Sequence, residues 1–319
     1  MRALSLWWAV RAAVDGTGRR LIQGGSILIR SNRPAVRLLA ATVGIALAST
    51  GLAVATSSSA TAAPGDTVKV KVTKRNFVDM PTTLAPGVHR FAVRSVGGSA
   101  FQLVRPDAGY AKSQLISDLN AGFENGDVRA FKRFERNLQL AGGVTADSGQ
   151  KGVMWAKLKR GTYWALDTDP SNLRPSQILT VKVRGQNQGG SLPEAATLTA
   201  SGNAAWAPDP ASIPASGKVT LRNESNANHF FGVARLKAGK TMADVDAFVE
   251  AITNGDNPGK SPIRFGVGFE SGVVGPGQAM TMNYDLPAGE YVMVCFWPMP
   301  EHDFMPHMFM GMYRQLTVG

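Results

Sequence analysis

The chain reads as all-β: two Greek-key β-sandwiches in tandem, each with a short helical insertion. Three observations predict this. Short runs of alternating apolar and polar residues recur along the chain, separated by Pro-Gly and Ala-Gly turns such as Pro86-Gly87, Pro276-Gly277 and Pro287-Ala288-Gly289. Two stretches break that period with helical spacing. The two halves can also be laid on one another at a nearly constant offset.

The offset is 128 for Gly149-Gln150 against Gly277-Gln278, for Gly161-Thr162-Tyr163 against Gly289-Glu290-Tyr291, and for Pro170 against Pro298. It is 130 for Arg105-Pro106-Asp107-Ala108-Gly109 against Arg235-Leu236-Lys237-Ala238-Gly239. At the ends, Leu179-Thr180-Val181 meets Leu316-Thr317-Val318 at 137, so the second half holds nine extra residues after Pro298. Those residues include His302 and His307, and Cys295 falls opposite Asp167.

The elements follow in order. Residues 1–63 read as an export leader: Arg30, Arg33 and Arg37 precede an apolar small-residue run from Leu38 to Ala55, then an A-x-A pattern at Ala60-Thr61-Ala62. A retained N-terminal anchor is the competing reading of that run. Residues 1–30 are long for the charged start of a leader, which suits either a mis-called start or cytoplasmic residues lost on cleavage. Residues 64–184 form the first sandwich, with strands at Val68–Val72, His89–Val93, Met154–Leu158, Tyr163–Leu166 and Ile178–Val183. Its helices are expected at Ser113–Phe123 and Val128–Leu138. Residues 185–192, rich in Gly and Gln, are the linker. Residues 193–319 form the second sandwich, with strands at Lys218–Arg222, Phe230–Arg235, Met280–Tyr284, Tyr291–Cys295 and Tyr313–Val318. Thr241 to Asp244 resembles a capping box opening a helix through Val245, Phe248, Val249 and Ile252.

The net charge of +11 divides unevenly: +6 in residues 1–64, +9 in 65–189 and −4 in 190–319. The exported part is therefore only +5. Its basic residues lie in no nucleic-acid motif and aromatic residues are few, so no nucleic-acid partner is expected. No membrane association is expected after leader cleavage. With one cysteine, Cys295, there is no internal disulfide. In an exported chain a lone thiol needs burial or a metal to protect it.

The segment from Cys295 to Met312 holds that cysteine, two of the four histidines and five methionines. A thiolate, imidazoles and a thioether are the donors that copper prefers, and a blue copper site uses two His, one Cys and a weak axial Met. The second half supplies them in order. His229 ends the loop that begins at Asn223 and starts a strand. Cys295 ends a strand. His307 and Met312 follow, with Gly311 just before the methionine. His302 and Met305 are secondary candidates. His302 lies between Glu301 and Asp303, which suits solvent. Each residue also has a plain reading: His229 bonded to Asn223 or backbone, Cys295 and Met312 as core. The methionine-rich loop could alternatively hold Cu(I) through thioethers.

These residues resemble the cupredoxins, small copper-binding β-sandwiches. The resemblance covers about residues 194–319 at the level of the motif and 65–183 as a degenerate copy without ligands. Pro306-His307-Met308-Phe309-Met310-Gly311-Met312 is similar to the closing segment of plastocyanins and of the blue site in copper nitrite reductases. The resemblance implies one copper ion on His229, Cys295, His307 and Met312, and a redox or cell-envelope protein partner. Eleven residues separate Cys295 from His307, more than in plastocyanin-like or azurin-like loops. A long loop can still fold back, because closure cost grows slowly with length.

Several functions are excluded. Four histidines cannot furnish the trinuclear centre of a multicopper oxidase. No G-x-S-x-G, H-E-x-x-H, P-loop or dinucleotide fingerprint is present. The expectation is an exported, non-enzymatic copper protein for electron transfer or copper handling at the cell envelope. The alternative is a metal-free interaction module that docks through the Met/Phe/Trp-rich loop 296–310.

Overall fold

A computed structural model describes residues 67–97, 100–145, 151–167, 173–202 and 204–319. The leader, Gly149-Gln150 and Pro170 lie outside the described residues. The first half runs β1 (Thr67–Thr73), β2 (Val78–Asp79), β3 (Thr83–Leu84), β4 (Gly87–Val96), β5 (Ala100–Pro106), α1 (Lys112–Leu119), a π-turn at Asn120–Glu124, α2 (Val128–Asn137), β6 (Leu138–Thr145), β7 (Lys151–Leu158), β8 (Gly161–Leu166) and β9 (Leu179–Val183). The second runs β10 (Ala196–Ser201), β11 (Ala205–Trp206), β12 (Ser212–Ile213), β13 (Ser216–Asn223), β14 (Gly232–Leu236), α3 (Met242–Asn254), β15 (Ile263–Glu270), β16 (Ala279–Asp285), β17 (Gly289–Val294), β18 (Pro298–Met299), β19 (Met305–Pro306) and β20 (Tyr313–Val318).

Strand order repeats between the halves. The first has a five-stranded sheet β3-β9-β8-β5-β6, and the second has β12-β20-β17-β14-β15. The opposing layers are not separate. β2-β1-β4-β7 and β11-β10-β13-β16 join edge to edge into one eight-stranded sheet. The join pairs β16 with β7 antiparallel, Met280 on Ala156, Thr281 on Trp155 and Met282 on Met154. Two strands that would each be an open edge thereby satisfy one another's backbone groups. Beyond the sheet edge, Val144 bridges Ser271 and Ala141 bridges Val274.

Alternation explains the strands. β1 points Val68, Val70 and Val72 inward and Thr67, Lys69 and Lys71 outward. One apolar core runs from Val68 to Val318 across both halves, and a smaller one lies under α3. That helix starts as the sequence predicts: the Thr241 backbone N–H and hydroxyl donate to Asp244 at 2.9 and 3.1 Å. It ends at Gly255 with φ 78, a left-handed closing residue that glycine adopts without a Cβ clash. In α2, Asp127 caps the first turn by accepting from Arg129 and Ala130 N–H groups at 2.9 and 3.1 Å. Ala130, Phe131 and Phe134 face inward at helical spacing.

Element ends shift by a few residues throughout, as where α1 stops at Leu119 rather than Phe123, and two of the shifts bear on the candidate ligands. β14 begins at Gly232 rather than Phe230, because His229 leaves its ladder to pair with Val274. The Phe231 N–H is likewise diverted, donating to the Ser271 hydroxyl at 3.0 Å. β17 ends at Val294, so Cys295 is the first residue past the strand. Among the described residues no helix is long and apolar enough to cross a membrane.

Candidate metal centre

Three elements deliver the candidate ligands. His229 sits between β13 and β14, its backbone fixed by hydrogen bonds in both directions with Val274, at 3.1 and 2.7 Å. Cys295 extends β17, which is hydrogen-bonded on both sides, to β14 and β20. His307 opens a 3₁₀ turn, His307–Met310, that closes when the Met312 N–H donates to the His307 carbonyl at 2.9 Å.

The long gap between Cys295 and His307 closes as a hairpin. β18 and β19 pair Pro298 with Pro306 and Met299 with Met305. The His307 N–H donates to the Trp297 carbonyl at 2.9 Å, and the Met308 N–H to the Cys295 carbonyl at 2.7 Å. At the tip, Asp303 and Phe304 take positive φ of 52 and 59. A bulky residue there costs on the order of 1 kcal/mol or more. Burial of the Phe304 ring against Phe131, 5.3 Å between centroids, offsets this with about 1.5–3 kcal/mol.

The ligand atoms converge. His229 Nδ1 lies 3.6 Å from Cys295 Sγ, His307 Nδ1 lies 3.7 Å from Cys295 Sγ, and the two Nδ1 atoms are 3.1 Å apart. All three residues are at most 1 % exposed. Metal–nitrogen and metal–sulfur bonds of about 2.0–2.3 Å to one ion require donor atoms spaced about 3–4 Å apart, and the observed triangle meets that. Among the described residues these three form the cluster of His, Cys and acidic groups able to hold a metal ion. Met312 is fully buried in the same core as Cys295, and its carbonyl accepts from the Trp206 indole N–H at 3.2 Å. His302 stands apart, exposed at the end of the short turn Pro300–His302. Met305 is half-buried in the hairpin and packs against the α3 core.

The surroundings set the state of each donor. Ser225 Oγ lies 2.7 Å from His229 Nε2. That hydroxyl donates to Asn223 Oδ1 at 2.8 Å. With Asn223 Oδ1 and the Ala227 carbonyl, at 3.1 Å, both placed to take the hydroxyl proton, the geometry suits the tautomer in which Nε2–H donates to Ser225 and the Nδ1 lone pair faces the thiol and His307. Asn223 holds the loop together by donating to the Ala227 and Val274 carbonyls at 2.7 and 2.8 Å. Burial pushes the His229 imidazole down to about 3, helped by the neighbouring His307, and burial brings His307 down to about 4. Burial also pushes the Cys295 thiol up to about 12, opposed by hydrogen bonds from the Trp297 and Phe230 backbone. Without a cation the centre therefore holds two neutral imidazoles and a protonated thiol. A soft cation is the species that would make the thiolate favourable there.

The hairpin is not an exposed docking face. Trp297, Phe304 and Phe309 are each 8 % exposed. Phe123, Phe131 and Phe134 of the first half cover Trp297 at centroid distances of 6.1, 5.7 and 6.1 Å. The largest apolar side chains of the loop that reads as a partner surface in sequence are covered within the chain, Trp297 and Phe304 by the first half and Phe309 by the α3 cluster.

No protein-family model and no curated protein matches the chain. Solved structures that it resembles include a dithionite-reduced auracyanin from Roseiflexus castenholzii, at 20 % identity over 40 % of this chain and 99 % of that one, with a TM-score of 0.25. A purple cupredoxin from Nitrosopumilus maritimus matches at 16 % identity over 39 % of this chain and 99 % of that one, with a TM-score of 0.21. A multi-copper oxidase from Pediococcus acidilactici matches at 8 % identity over 79 % of this chain and 58 % of that one, also at 0.21. The matches to the auracyanin and the purple cupredoxin each span about two fifths of this chain, and the match to the oxidase about four fifths.

Proposed function

We propose that the chain is an exported copper protein that carries electrons, or copper itself, at the cell envelope and is not an enzyme. The observation that carries this is the buried triangle of His229 Nδ1, Cys295 Sγ and His307 Nδ1, with sides of 3.1 to 3.7 Å. One copper ion would be held by these three, with Met312 as the weak fourth donor. Two imidazoles, a thiolate and a thioether suit copper, which cycles between Cu(I) and Cu(II) on such donors. Ser225 keeps the His229 lone pair on the site, and burial excludes water that would otherwise complete a hydrolytic centre. The leader-like sequence pattern of residues 1–63 and the protection of a lone thiol support export to an oxidising compartment. The partner would be a redox protein of that compartment.

Visible absorption during Cu(II) titration of the purified protein tests the reading. An intense thiolate-to-copper band at one equivalent, absent from Cys295→Ser and reversibly bleached by a one-electron reductant, is the expected result. Absence of any such band with copper in excess would overturn it. A band that cannot be cycled would favour copper handling over electron transfer.

A further inference from the structure

We propose that Glu135, on α2 of the first half, is a positioning residue for the metal centre of the second half. The inference rests on the copper reading above. One carboxylate oxygen, Glu135 Oε1, accepts from Trp297 Nε1–H at 2.8 Å and from Asn228 Nδ2–H at 3.1 Å. Trp297 lies two residues after Cys295, and Asn228 immediately precedes His229. A single atom thus ties together the two segments that bring ligands from distant parts of the sequence.

The other contacts at this junction do not give that direction. Phe131 and Phe134 pack on the Trp297 ring, and packing of this kind fixes proximity more than angle. The Lys132–Glu301 ion pair at 2.6 Å is about half-exposed on both sides and contributes roughly 0–1 kcal/mol. Glu135 differs in kind. Its carboxyl is partly buried beside Phe131 and Phe134, where an aliphatic residue would pack without a desolvation cost. Burial pushes that carboxyl upward, and the hydrogen bonds from Trp297 and Asn228 pull the other way. The Asn228 side chain donates its Nδ2–H to Glu135 Oε1, while its own Oδ1 is buried without a partner. Groups hydrogen-bonded directly to metal ligands typically change metal affinity by about 10–100-fold when lost; Glu135 acts through the residues beside two ligands, so its effect should be smaller.

Glu135→Gln and Glu135→Leu in the full chain separate the possibilities. Glutamine keeps an Oε1 acceptor for both donors, whereas leucine keeps only bulk. The expected result is that Glu135→Leu releases copper to a competing chelator faster than wild type, by up to the roughly 10-fold lower end of the range for direct ligand partners, and shifts the thiolate-to-copper band. Glu135→Gln should stay near wild type in both. Metal-free Glu135→Leu should also expose Cys295 to a disulfide reagent faster than wild type. Trp297→Phe, which keeps an aromatic ring, though a smaller one, and loses the N–H, should move the same readouts in the same direction if Glu135→Leu does not fold. Wild-type release rate, spectrum and thiol reactivity in folded Glu135→Leu would overturn the assignment. So would equal losses in both Glu135 variants, which would mean charge rather than geometry. If wild type itself shows no Cys295-dependent band, the copper reading fails. Thiol reactivity of the metal-free variants then decides on the clamp alone, and unchanged reactivity sinks it.

Discussion

Asp167 holds in the first half the place that Cys295 holds in the second. Each is the first residue past its strand, β8 or β17, and each is fully buried. Asp167 Oδ1 accepts the Ala100 backbone N–H at 3.0 Å, and Cys295 receives the Phe230 N–H at the equivalent point of its half. A carboxylate thus does in one half, by hydrogen bonding, the structural part of what the thiol does in the other. Asp167→Ala would leave a buried N–H without its acceptor, which costs about 1–3 kcal/mol. Urea denaturation should show that loss, with an unchanged copper band. Cys295→Ala should lose the band and stability together, because the Phe230 and Trp297 N–H groups then lack their acceptor.

Much of this was legible in the sequence, for identifiable reasons. β1 and β4 alternate cleanly because one face meets water, and α3 carries its own cap at Thr241 and Asp244. β5 escaped notice because Ala100 to Val104 are all buried, which erases the alternation. β15 escaped because Gly266 and Gly268 dilute it. His229, Cys295 and His307 stood out because their residue types are scarce in this chain. Glu135 could not, since its partners lie 93 and 162 residues away and only the tertiary fold brings them together. The β7–β16 join was equally hidden, because the pairing of two edges depends on where whole sheets lie rather than on local pattern.

Ser225 provides a second test of how the site is held. Its hydroxyl sits between Asn223 Oδ1 and His229 Nε2, at 2.8 and 2.7 Å. Ser225→Ala removes the group that fixes the imidazole tautomer while leaving every proposed ligand in place. Copper affinity should fall about 10–100-fold, measured by competition with a chelator of known affinity. An affinity equal to wild type would show that the backbone bonds to Val274 orient His229 by themselves.

The pH dependence of the metal-free protein follows from its histidines. His229 and His307 titrate at about 3 and about 4 in the folded chain, against 6.5 in an unfolded one. Their folded values are depressed, so between those limits the unfolded chain binds more protons. Stability is therefore full above about pH 6.5 and falls as pH drops through 6 and 5, on the order of 2 kcal/mol per histidine by pH 5. Denaturation of metal-free protein at pH 7.5 and 5.0 measures it. His307→Ala should show a shallower fall over the same range, and an equal slope would place the titrating groups elsewhere.

Gly311 separates conformational cost from crowding at the closing turn. It takes φ 96 between His307 and Met312, and a Cβ added there would meet nothing within 4 Å. Gly311→Ala therefore carries only the left-handed backbone penalty, about 1–2 kcal/mol. That is small beside the roughly 10 kcal/mol or more that a structural metal site can supply, so the turn should hold when metal is bound. Thermal melts should show the loss in the metal-free protein, while the copper-loaded protein keeps its absorption spectrum. A spectrum altered by this single methyl group would mean that the turn relaxes instead, and that Met312 moves with it.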